Sequence, residues 1–173
     1  MNKFLPDMYQ KTIFDISYNK LKTNGIKVLL FDLDNTLIEK EKAIPENATI
    51  ELINKLKDDF TILIVSNTIK KTKVNIFHDK CNIPYVISAK KPFKLGYKRV
   101  KEIKDMNPKN VCMIGDQLLT DVWGGKRMGY FTVLVDPIGQ DDMSVTKINR
   151  VIEAKIINKL NKEGKFEKGK YYE

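Results

Sequence analysis

Five short runs of apolar, mostly β-branched residues punctuate the chain: KVLLF at 27–31, TILIV at 61–65, YVIS at 85–88, NVCMI at 110–114 and FTVLV at 131–135. They are apolar throughout instead of alternating, which is the pattern of strands buried on both faces. Between them lie stretches with helical periodicity: ENATIELINKLKD, KKTKVNIFHDKC, KLGYKRVKEIKDM and LLTDVWGGKRMG. Strands alternating with helices of this length require right-handed crossovers, and hence a parallel sheet covered on both faces. The predicted fold is α/β, a Rossmann-like three-layer α/β/α sandwich with five or more parallel strands.

Punctuation residues support these boundaries. Pro45 and Pro92 precede the first and third helices, Asn67 and Thr68 are positioned to cap the second, and Gly129 closes the fourth. Beyond the last strand, residues 143–163 place Val145, Ile148, Ile152, Ile156 and Leu160 at intervals of three and four. This predicts an amphipathic helix packed on the domain. The final stretch GKFEKGKYYE, rich in Gly and Lys, is expected to fray.

Composition sets the outer bounds. The 173 residues, 42% of them hydrophobic, suit one domain: a core over about 26–137, an N-terminal extension over 1–25 and the C-terminal helix. No apolar stretch has the length of a signal peptide or a membrane span, which predicts a cytoplasmic protein. Two cysteines, Cys81 and Cys112, cannot make a disulfide framework, and with a single histidine, His78, a zinc site is not expected. Cys112 falls inside an apolar run and reads as a small hydrophobe, and His78 as an exposed helix residue.

Charge is more informative than composition. The net charge of +9 is concentrated in residues 68–110, which alone carry +9 and leave the remainder neutral. A basic segment of this kind attracts phosphates, whether on a small substrate, a lipid headgroup or a nucleic acid, unless it is only a lysine-rich solvated face.

Ligands of open α/β sheets collect beyond the carboxyl ends of the strands. There the chain places Asp32, Asp34 and Thr36 after the first run, Ser66, Asn67 and Thr68 after the second, Lys90 and Lys91 after the third, and Gly115, Asp116 and Asp121 after the fourth. Asp32 and Asp34 share one side of an extended chain, and two adjacent carboxylates repel unless a cation or a shared proton relieves them. A calcium loop starting at Asp32 is excluded, because its sixth and twelfth positions hold Leu37 and Ala43. Asp32, Asp34, Asp116 and Asp121 beside a hydroxyl and a lysine form a hard-oxygen set suited to Mg²⁺. Thr36 reads as a turn residue, Trp123 as core, and Gly124 and Gly125 as permitting close packing.

The motifs DLDNT, SN, a Lys before Pro and GDQLLTD, in this order and each after a strand, resemble the four motifs of haloacid dehalogenase (HAD) superfamily phosphatases. More narrowly, FLPD, GIKVLLFDLDNTL, KKP and IGDQLLTDVWGG resemble the YqeG family of class IIIA phosphatases, whose mitochondrial relatives are phosphatidylglycerophosphate phosphatases. The resemblance implies that Asp32 is a nucleophile forming an aspartyl-phosphate and Asp34 its general acid and base. It further implies that Ser66, Asn67 and Lys91 bind the phosphoryl group, and that Asp32, Asp116 and the backbone carbonyl of Asp34 hold Mg²⁺ with Asp121 in support. Lys91 is preferred over Lys90 because it directly precedes Pro92.

Each crossover has room for one helix and its loops, so no cap domain is expected, and an uncapped site admits a phosphate carried on something large. Three functions fit. The first is a phosphatase of phosphatidylglycerophosphate, peripheral on an anionic membrane surface at the inner face. The second is a phosphatase of a soluble metabolite or of a nucleotide or nucleic-acid terminus, and the third a non-catalytic module binding RNA or a ribonucleoprotein. The complete set of Asp32, Asp34, Ser66, Lys91 and Asp116 argues against the third, since binding alone needs no nucleophile beside an acid.

Overall fold

A computed structural model of the chain describes residues 2–104, 106–139 and 147–173. Six strands, β1 (Met8–Gln10), β2 (Val28–Phe31), β3 (Thr61–Val65), β4 (Tyr85–Val86), β5 (Val111–Gly115) and β6 (Phe131–Val135), form one sheet in the order β1-β6-β5-β2-β3-β4. All five pairings are parallel, with Val28 registered on Thr61 in β3 and on Val111 in β5. Helices α1 (Tyr18–Thr23), α2 (Asn47–Leu56), α3 (Lys71–Cys81), α4 (Lys94–Ile103), α5 (Trp123–Met128) and α6 (Lys147–Lys162) complete the fold.

The apolar runs explain the layers. Leu29 and Phe31 of β2, with Ile62, Ile64, Cys112 and Ile114, pack on Leu21 of α1, Ile53 of α2 and Val74 and Phe77 of α3. The alternate residues Val28 and Leu30, with Leu63, Val65 and Met113, face Tyr97 and Val100 of α4. Both faces of the central strands are therefore dry, as their unbroken hydrophobicity requires. Glycine brings α5 close: a Cβ on Gly124 would lie 2.5 Å from the Tyr97 hydroxyl, and one on Gly125 2.8 Å from Thr132.

The strand YVIS is shorter than its apolar run, because Ser88 and Lys90 take left-handed φ of 49° and 53° and turn the chain toward the site. Asn67 and Thr68 do not cap α3. Asn67 is engaged with Lys91, and α3 starts after Lys70, whose N–H meets Thr68 Oγ1 at 3.3 Å. Trp123 is not core: it is half-buried at the start of α5, its ring 5.5 Å from that of Phe4.

The largest departures lie at the termini. Met8, Tyr9 and Gln10, within the expected extension, add a sixth strand beside β6. The tail does not fray: Tyr172 pairs antiparallel with Tyr9 through N–H···O bonds of 2.9 and 2.8 Å, and Phe166 is buried against the Tyr9 ring. The tail thereby covers the backbone of an edge strand that would otherwise be open to pairing. Helix α6 packs through Ile156 and Leu160 onto Tyr9, Leu118 and Leu134, but Ile152, expected on the same buried stripe, is 40% exposed; residues 143–146 and the side chain of Ile148 lie outside the described residues.

Candidate active site

The carboxyl ends of β2, β3, β4 and β5 meet at a cavity of about 870 Å³, lined by Asp32, Asp34, Ser66, Asn67, Lys91 and Asp116 among others. The N–H of Asp32 donates to Ile114 O at 2.9 Å, continuing the β2–β5 ladder by one residue and fixing Asp32 at the sheet edge. The chain then turns at Asn35, whose φ of +63° is one that asparagine tolerates, and the Asn35 side chain accepts from Lys40 N at 3.0 Å. These contacts fold residues 35–46 into a flap. Thr36, fully buried, donates to Asp116 Oδ1 at 3.4 Å, so the turn residue also steadies an acidic one.

Ser66 extends β3 through N–H donation to Val86 O at 2.9 Å, and its Oγ accepts from Thr68 N at 3.1 Å. The Asn67 amide clamps the backbone of Lys91, accepting its N–H at 2.7 Å and donating to its carbonyl at 3.1 Å. This clamp, beside a cis Lys91–Pro92 peptide, sets where the Lys91 side chain enters. Lys90 is exposed. Lys91 is buried, with its ammonium 2.6 Å from Asp32 Oδ1 and 2.7 Å from Asp121 Oδ1.

Asp121 does not line the cavity but stands behind Lys91, wholly buried, its second oxygen accepting from Gln117 N at 3.1 Å. Gly115 makes this approach possible: a Cβ there would lie 2.4 Å from the Asp121 carboxyl carbon. Both Asp121 oxygens are thus engaged.

Three carboxylates, those of Asp32, Asp116 and Asp121, have oxygens within 4.8 Å of one another, and two of them, Asp32 and Asp121, share the Lys91 ammonium. Burial pushes the Asp32 pKa up to about 6; Lys91 pulls it down and Asp121 adds to the rise. Burial, then Asp32 and Asp121, drive Asp116 well above the usual carboxylate range. Burial by itself would lower Lys91, but Asp121 and Asp32 outweigh it and hold the ammonium above the ordinary lysine value. Ionising all three carboxylates would leave the cluster two negative charges in excess of its lysine, and its donors are hard oxygens. A divalent cation fits both facts.

One functional candidate escaped the sequence reading. Lys73 of α3 is buried and reaches Asp34 Oδ1 at 3.1 Å, Glu39 O at 3.4 Å and the carbonyl of Lys40. It ties Asp34 and the flap to α3. Its position was legible in principle, because Lys73, Phe77 and Cys81 fall four residues apart on the buried stripe of the helix.

A family model described as "Mitochondrial PGP phosphatase" matches residues 1–139. The chain belongs to this family of HAD-type phosphatases. The phosphatase is 37% identical over 162 residues to a Bacillus subtilis (strain 168) protein named "Probable phosphatase YqeG", covering 93% of this chain and 94% of that one. Its fold is that of a HAD-family hydrolase, YfnB from Bacillus subtilis, solved bound to magnesium (TM-score 0.56, 16% identity, 77% of this chain and 99% of that one). A HAD-like hydrolase from Porphyromonas gingivalis shares it too (TM-score 0.54, 14% identity, 74% and 98%). Among the described residues no helix of the phosphatase is long and apolar enough to cross a membrane.

Proposed function

We propose that the protein is a Mg²⁺-dependent phosphatase that removes the terminal phosphate of phosphatidylglycerophosphate through an aspartyl-phosphate intermediate, working at an anionic membrane surface. The observation that carries the chemistry is the buried Lys91 bridging Asp32 and Asp121, with Asp34 and Ser66 on the same cavity. The Asp32 carboxylate would attack phosphorus as the bond to the leaving alkoxide breaks, and Asp34 would give that alkoxide its proton. Asp34 would then take a proton from the water that hydrolyses the acyl phosphate and restores Asp32. The Ser66 hydroxyl and Asn67 N–H would donate to the phosphoryl oxygens. Lys91 has three N–H donors and two meet carboxylates, so a third remains for the phosphoryl group.

Asp32 and Asp116, with the backbone carbonyl of Asp34, would hold Mg²⁺, whose charge offsets that of the carboxylates and of the transferring group. Support for the lipid comes from the family description and from the absence of any cap between the strands among the described residues. It comes also from a neighbouring apolar groove of about 300 Å³, lined by Ile13, Phe14, Ile38, Ile44 and Ile138. The test is phosphate release from phosphatidylglycerophosphate in mixed micelles with Mg²⁺, beside soluble phosphate esters and phosphorylated oligonucleotides. Preference for the lipid, lost in Asp32→Asn by at least about 10⁴-fold, is expected for removal of a covalent nucleophile. Turnover confined to soluble esters or oligonucleotides would discard the lipid and keep the chemistry.

A further inference from the structure

Ten large apolar side chains are exposed among the described residues; Ile103, Val151, Ile152 and Tyr171 stand on helices or in the tail, and the other six lie nearer the carboxyl ends of the strands. Phe14, Ile44, Ile69, Phe93, Leu95 and Ile138 all lie in segments that follow the carboxyl end of a strand. The densest group belongs to the neighbouring loops after β3 and β4, where Ile69 is 79%, Phe93 63% and Leu95 56% exposed. Around them stand Lys70, Lys71, Lys90 and Lys94, all exposed, and residues 66–72 and 87–95 contain no Asp or Glu.

These two loops form one unit. Ser88 N donates to Thr68 O at 2.9 Å, Ala89 N to Ser66 O at 3.0 Å, and the Asn67 amide clamps Lys91. The same segments supply Ser66, Asn67 and Lys91 to the cavity, and Ile69 and Lys70 line its mouth. An apolar tip on a rigid basic platform, at the rim of a phosphate-handling cavity, is the chemistry of interfacial binding: aliphatic groups enter the acyl boundary while lysines meet anionic headgroups. RNA fits less well, because two of the three tip residues, Ile69 and Leu95, are aliphatic and Phe93 alone of them offers a ring for a base to stack on.

We propose that Ile69, Phe93 and Leu95, with Lys70, Lys71, Lys90 and Lys94, are the surface by which this protein docks on an anionic lipid bilayer. The proposal deepens the lipid-phosphatase reading and rests on it only for what is hydrolysed once docked. The docked orientation turns the cavity mouth toward the headgroups, so that a phosphate need not leave the bilayer to reach Asp32.

The test is flotation of the full-length protein with vesicles of phosphatidylcholine alone or with about 30% phosphatidylglycerol, run alongside Mg²⁺-dependent hydrolysis of p-nitrophenyl phosphate. Wild type is expected to float with the anionic vesicles at least about tenfold better than with neutral ones. Phe93→Ser/Leu95→Ser and, separately, Lys71→Gln/Lys94→Gln, at positions that do not line the cavity, are each expected to lose about tenfold or more of that binding, with soluble-ester hydrolysis within about twofold of wild type. Phe93 is the residue just before α4, where serine is well accepted, so folding is preserved. Equal flotation of the variants, no flotation of wild type, or displacement of wild type from vesicles by an RNA oligonucleotide that both variants bind normally would overturn the proposal. Variant-sensitive flotation without ester hydrolysis would support the surface and sink the phosphatase reading.

Discussion

Lys91 and Lys73 are both buried lysines paired with an aspartate of the β2 motif, yet they are held differently. Lys91, from the loop after β4, lies between Asp32 and Asp121 at the ends of strands, with 2% of its side chain exposed and its carboxylate partners no more than 8%. Lys73, from α3, meets one carboxylate, that of Asp34, which is 23% exposed, and two carbonyls of the flap. Removing Lys91 strands two buried carboxylates beside a third. Removing Lys73 leaves a carboxylate that water can still reach. The first lysine therefore holds two buried carboxylates that depend on it, whereas the second meets a single carboxylate that is partly solvated.

The largest effect is expected from Lys91→Met. Breaking a buried pair on one side costs about 3–5 kcal/mol of stability. Loss of its positive charge beside the phosphoryl group lowers kcat by about 10²- to 10³-fold. Thermal unfolding and steady-state kinetics on a soluble ester check both, and near-normal stability would show that Asp32 and Asp121 do not depend on their ammonium. Gly115→Ala attacks the same bracket without touching a charge, since the added methyl overlaps the Asp121 carboxyl. Overpacking costs about 1–3 kcal/mol, and kcat is expected to fall with it as Asp121 is pushed from Lys91. Full activity would mean that Asp121 is dispensable for placing the lysine.

The same comparison explains what the sequence made legible. Asp32, Ser66, Lys91 and Asp116 each follow an apolar run, so locating the strands also located the groups at their ends, and a parallel sheet brings those ends together. Lys73 had no such marker. It sits among Lys70, Lys71 and Lys80 in a helix whose surface is basic, and only its four-residue spacing from Phe77 hinted at burial. Strand β1 was hidden because three residues are too few to show a period, and the ordered tail because its partner Tyr9 is distant in sequence. What is local and periodic was readable; what depends on a long-range partner was not.

Lys73→Met gives the smallest effect and the sharpest discrimination. If Lys73 serves to aim Asp34, its loss weakens proton donation to the leaving group and little else. Assistance of that kind matters for an alkoxide, which is too basic to depart unaided, and hardly at all for p-nitrophenolate. kcat is therefore expected to fall about tenfold on an alkyl phosphate but less than about threefold on p-nitrophenyl phosphate, with Asp34→Asn showing the same bias more strongly. Lys73→Arg, which keeps the charge and donors, should restore part of the alkyl rate. An equal loss on both substrates would make Lys73 a strut of the flap with no part in aiming the acid. A leaving-group bias in Lys73→Met without one in Asp34→Asn would move the acid role away from Asp34 and leave the lysine acting through some other contact of the flap.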